Sequence, residues 1–257
     1  MKKLLKSIMR SLAGTGFVYR LSRKMTDYHD GLNNSDFKTN GEAGFLKRNA
    51  SGFKMIFDVG ANVGDWSLFV NRLNPAAAIY AFEPVAETFA ILKERGFNDK
   101  VKVGNIALGE REGTVDFHVY GDSTLNSVVA RDGGAVAGTA KIEAVRMDTL
   151  DHFTAANDIG PVDFLKIDTE GQELAVLKGA ARLLGEKKIR IIQFEYGGTY
   201  IDAGILLKDV FKFLSDRQYL IYKIHPEGIE EIKKYGHALE NFQYANYLAA
   251  LPGVEIK

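Results

Sequence analysis

The sequence contains no cysteine. That removes disulfides, thiolate metal sites, iron–sulfur clusters and cysteine nucleophiles together, and leaves the redox compartment open. Only 5 prolines punctuate the chain, and neither an internal repeat nor a low-complexity stretch occurs. No apolar run approaches the ~20 residues of a membrane span. Charge of neither sign is in excess, with 33 Lys+Arg against 33 Asp+Glu, which argues against a general nucleic-acid binder. What is present is an ordinary globular composition, 46% hydrophobic over 257 residues, enough to bury a core without staples.

The neutral total conceals an asymmetry. Lys2, Lys3, Lys6, Arg10, Arg20, Arg23 and Lys24 precede the first acid, Asp27, and without these seven the body holds 26 basic against 33 acidic residues. The segment opens like a signal peptide, but Lys6 and Arg10 interrupt any apolar stretch and no cleavage-like site follows. Leu4, Leu5, Ile8, Met9 and Leu12 suit one face of a helix. Residues 1–24 therefore read either as a basic amphipathic arm on an anionic membrane surface or as a helix packed on the body. The expected location is the cytoplasm, with the inner membrane surface as the place such an arm would reach. The expected organisation is a basic helical arm over 1–50 and one domain over 51–257.

From residue 54 onward short apolar runs alternate with helical patterns, which predicts βαβ units and a parallel sheet. Strands are expected at Lys54–Val59, Ala78–Phe82, Val101–Ile106, Val162–Ile167, Ile189–Phe194, Tyr219–Ile224 and Ala245–Ala250. Alternation in Thr114–Tyr120 and Lys141–Val145 adds a β-hairpin insertion around a Gly-rich loop at 132–138. One continuous helix is expected over Gln172–Leu184. The predicted fold is an α/β doubly wound, mostly parallel, seven-stranded sheet, whose ligands bind at the carboxyl ends of the strands.

Those strand ends carry the chemistry. The first runs Asp58-Val59-Gly60-Ala61-Asn62-Val63-Gly64, a turn that lets a ligand approach the backbone. Its spacing differs from the G-x-G-x-x-G of dinucleotide sites. An acid before the loop suits a ligand with an ammonium group and no phosphate, and S-adenosylmethionine is such a ligand. Glu83, 19 residues beyond Gly64 at the second strand tip, can accept both ribose hydroxyls. Asn105 and Ala107 follow the third strand and are candidates for the adenine edge and face. Asp168 and Glu195 end the next two buried strands. Paired carboxylates there can hold a divalent cation such as magnesium, or one can act as general base toward a hydroxyl. His225, before Pro226, is the histidine nearest a strand tip and a second candidate base. Asp122–Ser127 offers polar contacts within the insertion.

The sequence resembles the FkbM-type methyltransferase family, within the class I S-adenosylmethionine-dependent enzymes. The resemblance rests on Asp58 to Gly64, Glu83-Pro84, Ala107-Leu108-Gly109, Thr149-Leu150-Asp151, and above all Asp163-Phe164-Leu165-Lys166-Ile167-Asp168-Thr169-Glu170-Gly171 with Glu173 and Gly179. It covers residues 54–196 and leaves 1–50 outside. It implies a class I methyltransferase domain and methyl transfer to a hydroxyl of a sugar, glycan or natural product. By that resemblance Asp58, Gly60, Gly64 and Glu83 hold the cofactor, and Asp168 and Glu195 line the transfer site; Asn62 and Asp168 are expected to touch the cofactor as well.

Three other functions share parts of this pattern. An NAD(P)-dependent oxidoreductase has the same sheet and ribose acid, but Tyr219 and Lys223, spaced for its catalytic pair, read as strand. A nucleic-acid amino-methyltransferase would show a Pro-Pro-aromatic run, and no Pro-Pro occurs. A non-catalytic nucleotide-sugar-binding module leaves the acids at 168 and 195 unexplained.

Overall fold

The structure, a computed structural model, describes residues 15–131 and 138–257. Its main sheet comprises β1 (Met55–Val59), β2 (Ala78–Phe82), β3 (Val101–Gly104), β7 (Val162–Ile167), β8 (Ile189–Tyr196), β9 (Leu220–His225), β10 (Gly228–Glu231) and β11 (Ala245–Ala250). The order is β10-β9-β11-β8-β7-β1-β2-β3. β3, β2, β1, β7 and β8 run parallel, while β11 is antiparallel to both β8 and β9. The sheet thus has eight strands where the sequence pattern counts seven. The additional β10 is a short edge strand carrying Glu230 and Glu231, residues that read poorly as strand.

Both faces of the central strands are covered, which is why they read as continuous apolar runs. On one face Ile56, Ile79, Phe164 and Ile191 pack with Trp66, Val70 and the fully buried Phe45 and Leu46 of helix Glu42–Asn49. The boundary drawn at residue 50 therefore cuts through a packed cluster. On the other face Phe57, Val59, Leu165, Ile167, Ile192 and Phe194 pack against Val176, Leu183, Val210 and Leu214.

A separate three-stranded sheet is ordered β4-β6-β5, from β4 (Ala107–Leu108), β5 (Gly113–Val119) and β6 (Lys141–Asp148). It contains the expected antiparallel pair with β4 added in parallel. Of the Gly-rich loop, residues 132–137 lie outside the described residues, as do residues 1–14 of the basic arm. The helix expected over 172–184 is broken into Glu173–Lys178 and Ala181–Gly185. The break falls where the Gly179 carbonyl accepts from the Asp151 amide at 2.9 Å. A Cβ at Gly179 would lie 1.9 Å from the Gly109 carbonyl oxygen. No helix among the described residues is long and apolar enough to cross a membrane.

Candidate active site

The chain leaves β1 toward β2 on one side and later returns as β7 on the other, so the topological switch point lies between β1 and β7. A cavity of about 850 Å³ opens at their carboxyl ends, within the range of cofactor and ligand pockets. Gly60, Asn62, Glu83, Ile106 and Ala107 line one end; Asp168, Glu170, Glu195, Thr199 and Tyr244 line the other; Ser123, Leu125 and Arg131 of the insertion roof it.

Glu83 is buried, with Oε2 accepting from the Asn62 amide at 3.0 Å and Oε1 from the Val85 amide at 2.9 Å. Burial, which outweighs these bonds, pushes its carboxyl up to about 7. Gly60 has φ +83°, and a Cβ there would meet the Asp168 carbonyl oxygen at 1.8 Å. The glycine thus lets the β1 and β7 loops approach each other beside the cavity. Asn62, itself left-handed at φ 48°, accepts from the Ser123 hydroxyl at 2.9 Å and so ties the roof to the floor.

Asp58 departs from its expected role. It is fully buried, off the cavity wall, and its Oδ2 accepts from Ser67 at 2.7 Å. Its cationic partner is Lys166, the residue facing it across the β1–β7 register. The Lys166 ammonium lies 3.4 Å from Asp58 and 2.9 Å from Asp168, above the Trp66 ring. These attractions hold its proton more tightly than usual despite burial, which acts the other way.

Three other expectations also fall off the cavity. Asn105 donates to the carbonyls of Glu83 and Pro84 at 3.0 and 2.8 Å, bracing the β2 loop from behind. Gly64 has φ +86°, and a Cβ there would lie 2.5 Å from a Leu92 methyl, so its role is packing. His225 is not a base for this site: β11 separates its strand from β8, and its ring packs on Gly31 and contacts Glu230 at 3.2 Å.

Asp168 and Glu195 do come together, and Glu170 joins them, with one carboxylate oxygen of each within 4.8 Å of the others. Glu170 sits at φ +55° and accepts from Arg131 at 2.8 Å. Burial and the neighbouring Asp168 push Glu170 up to about 7. Burial and then Asp168 raise Glu195 well above the usual carboxylate range. Below them Glu173 gathers the loop, accepting from the amides of Thr169 at 2.9 Å and Gly171 at 3.1 Å.

Sequence reasoning missed Arg131 and a buried network under the Asp168–Glu195 end of the cavity. Glu42 Oε1 accepts from Asn40 at 2.6 Å and Asn246 at 3.1 Å, its Oε2 accepts from Gln193, and Asn246 donates to the Tyr244 hydroxyl at 3.0 Å. The available signal was one acid in the first turn of a helix whose other face is apolar.

The model of the FkbM methyltransferase domain matches residues 58–221. The chain is 28% identical over 169 residues to the hexuronic acid methyltransferase AglP of Haloferax volcanii, covering 63% of this chain and 62% of that one. It is 28% identical over 152 residues to 31-O-demethyl-FK506 methyltransferase FkbM of Streptomyces tacrolimicus, covering 49% and 58%. With 2-O-methyltransferase NoeI of Sinorhizobium fredii the identity is 25%, covering 68% and 76%. The chain thus spans about three fifths of the length of the first two. The crystal structure of an FkbM methyltransferase from Methylobacillus flagellatus shares the fold, with a TM-score of 0.52 at 20% identity, covering 86% of this chain and 49% of that one. The chain belongs to the FkbM methyltransferase family.

Proposed function

We propose that the chain is an S-adenosylmethionine-dependent O-methyltransferase acting on a hydroxyl of a sugar, a glycan or an oxygenated natural product. One observation carries the reading: a single cavity at the switch point has a ribose-type acid, Glu83, at one end and the Asp168–Glu195 pair at the other. The names of the relatives, two of which specify a hexuronic acid and a 2-O position, support the acceptor class.

Bound S-adenosylmethionine supplies an electrophilic methyl group for in-line displacement by the acceptor oxygen. The chain's own residues position and deprotonate. Glu83, fixed by two backbone amides, presents its carboxylate to the ribose hydroxyls. Asp168, held by Lys166, accepts a hydrogen bond from the acceptor. Glu195 takes the hydroxyl proton as the new oxygen–carbon bond forms. Burial and the neighbouring Asp168 raise its proton affinity, which makes it a stronger base than a surface carboxylate.

The acid cluster suits a proton better than a divalent cation. Lys166, shared with Asp58, stands beside Asp168, and Arg131 pairs with Glu170, so two of the three carboxylates already have a cation beside them. We assign no step to magnesium.

Methyl transfer to a panel of hydroxylated sugars, measured with wild type, Asp168→Ala and Glu195→Gln, tests the proposal. Both variants should still bind S-adenosylhomocysteine, while turnover should fall about 10²- to 10⁴-fold for Glu195→Gln. Wild-type turnover should rise with pH as Glu195 ionises. Full turnover by Asp168→Ala and Glu195→Gln would remove both from the chemistry.

A further inference from the structure

The helix Gly16–Asp30 has no buried residue. Phe17, Leu21, Met25 and Tyr28 follow one another at i, i+4, i+8 and i+11, which places them along one face. All four are exposed, Phe17 and Tyr28 to 70% and Met25 to 64%. Single exposed apolar residues need no explanation, but an aligned stripe marks a surface that something covers. Arg20 and Lys24 lie along one side of this stripe on the helical wheel.

We infer that this helix lies in the plane of an anionic lipid surface, with Phe17, Leu21 and Met25 entering the headgroup boundary. Charge identifies the occupant. The first 24 residues carry seven Lys and Arg and no acid, the pattern of a peripheral helix drawn to anionic lipid. A second copy pairing through the same face would bring like charges together. The far end of the helix is fastened to the body: Lys223 Nζ donates to the Asp30 carbonyl at 2.5 Å, and Leu32 is buried in the core. The Asn33 amide then donates to the Tyr244 carbonyl at 2.9 Å, and Ser35 reaches the cavity wall. Only four residues therefore separate the helix from the cavity, so docking would hold the cavity near the lipid surface. The inference concerns binding alone and stands whether or not methyl transfer is the activity.

The test is flotation of the full chain with vesicles of phosphatidylcholine alone or with added phosphatidylglycerol. Binding is expected only with the anionic lipid and should fall as salt is raised. Phe17→Ser with Leu21→Ser should weaken it about tenfold or more. Arg20→Gln and Lys24→Gln should each weaken it about fivefold, the equivalent of about 1 kcal/mol per charge near the surface. All four positions are exposed, and circular dichroism with thermal melting verifies that each variant remains folded. Absence of binding, equal binding to both vesicle types, or variants that bind like wild type would overturn the inference. So would a dimer in solution that the Phe17 and Leu21 substitutions dissociate.

Discussion

At the tips of the two central strands, Lys166 supplies the positive charge that the sequence pattern assigns to a ligand. It stands between Asp58 and Asp168, with its side chain only 7% exposed. A buried acid left without its cation is costly, so Lys166→Met should lower the unfolding free energy by about 3–5 kcal/mol. Chemical denaturation of the variant measures this loss. A loss near zero would mean that the ammonium does not stabilise the acids beside it. This pairing was not legible beforehand, because 108 residues separate the partners and only the strand register brings them together. Glu83, Asp168 and Glu195 were legible because a carboxylate directly after a buried strand has few places to go except the carboxyl edge of the sheet. His225 satisfied the same local rule and failed, since the reversed β11 inserts between its strand and β8.

Among the elements, the insertion and the first core helix depart furthest from what the pattern suggests. The segment Ser123–Arg131 roofs the cavity through three ties: Ser123 to Asn62, Ser127 to the Glu170 carbonyl, and Arg131 to the Glu170 carboxylate. Arg131→Gln removes a part-buried charged hydrogen bond of about 1.5–3 kcal/mol. Because the insertion forms its own small sheet, the loss should appear as about tenfold weaker binding of S-adenosylhomocysteine with little change in melting temperature. A large fall in melting temperature with unaltered affinity would make the roof a structural strut instead. Helix Glu42–Asn49 predicts the opposite outcome. Phe45 is fully buried against Phe164, ring centroids 5.8 Å apart, so Phe45→Ala should cost about 3–5 kcal/mol although it lies before the expected domain boundary. A cost near zero in chemical denaturation would return this helix to the arm. Its membership was hidden because apolar residues at helical spacing say that a face is buried, not what covers it.

Over the whole molecule, Glu83 and the Asp168–Glu195 pair line opposite ends of one cavity at the switch point. The strands that make this possible were legible because covered faces on both sides require apolar runs such as Val162–Ile167. Their order was not, because the same runs fit any sequence of parallel neighbours. The family signature closes that gap from residue 58 to 221, and the N-terminal segment that completes the core and reaches the cavity lies before it. On the proposed reading this cavity receives S-adenosylmethionine with Glu83 on the ribose. Calorimetric titration with S-adenosylhomocysteine at pH 6 and pH 8, with NAD as control, is the decisive test. Ionised Glu83 accepts hydroxyl hydrogens and its free-state value is about 7, so affinity should rise by up to about tenfold between the two pH values. Glu83→Ala should abolish both the affinity and its pH dependence. Binding of NAD in place of S-adenosylhomocysteine, or S-adenosylhomocysteine affinity indifferent to Glu83, would contradict the account.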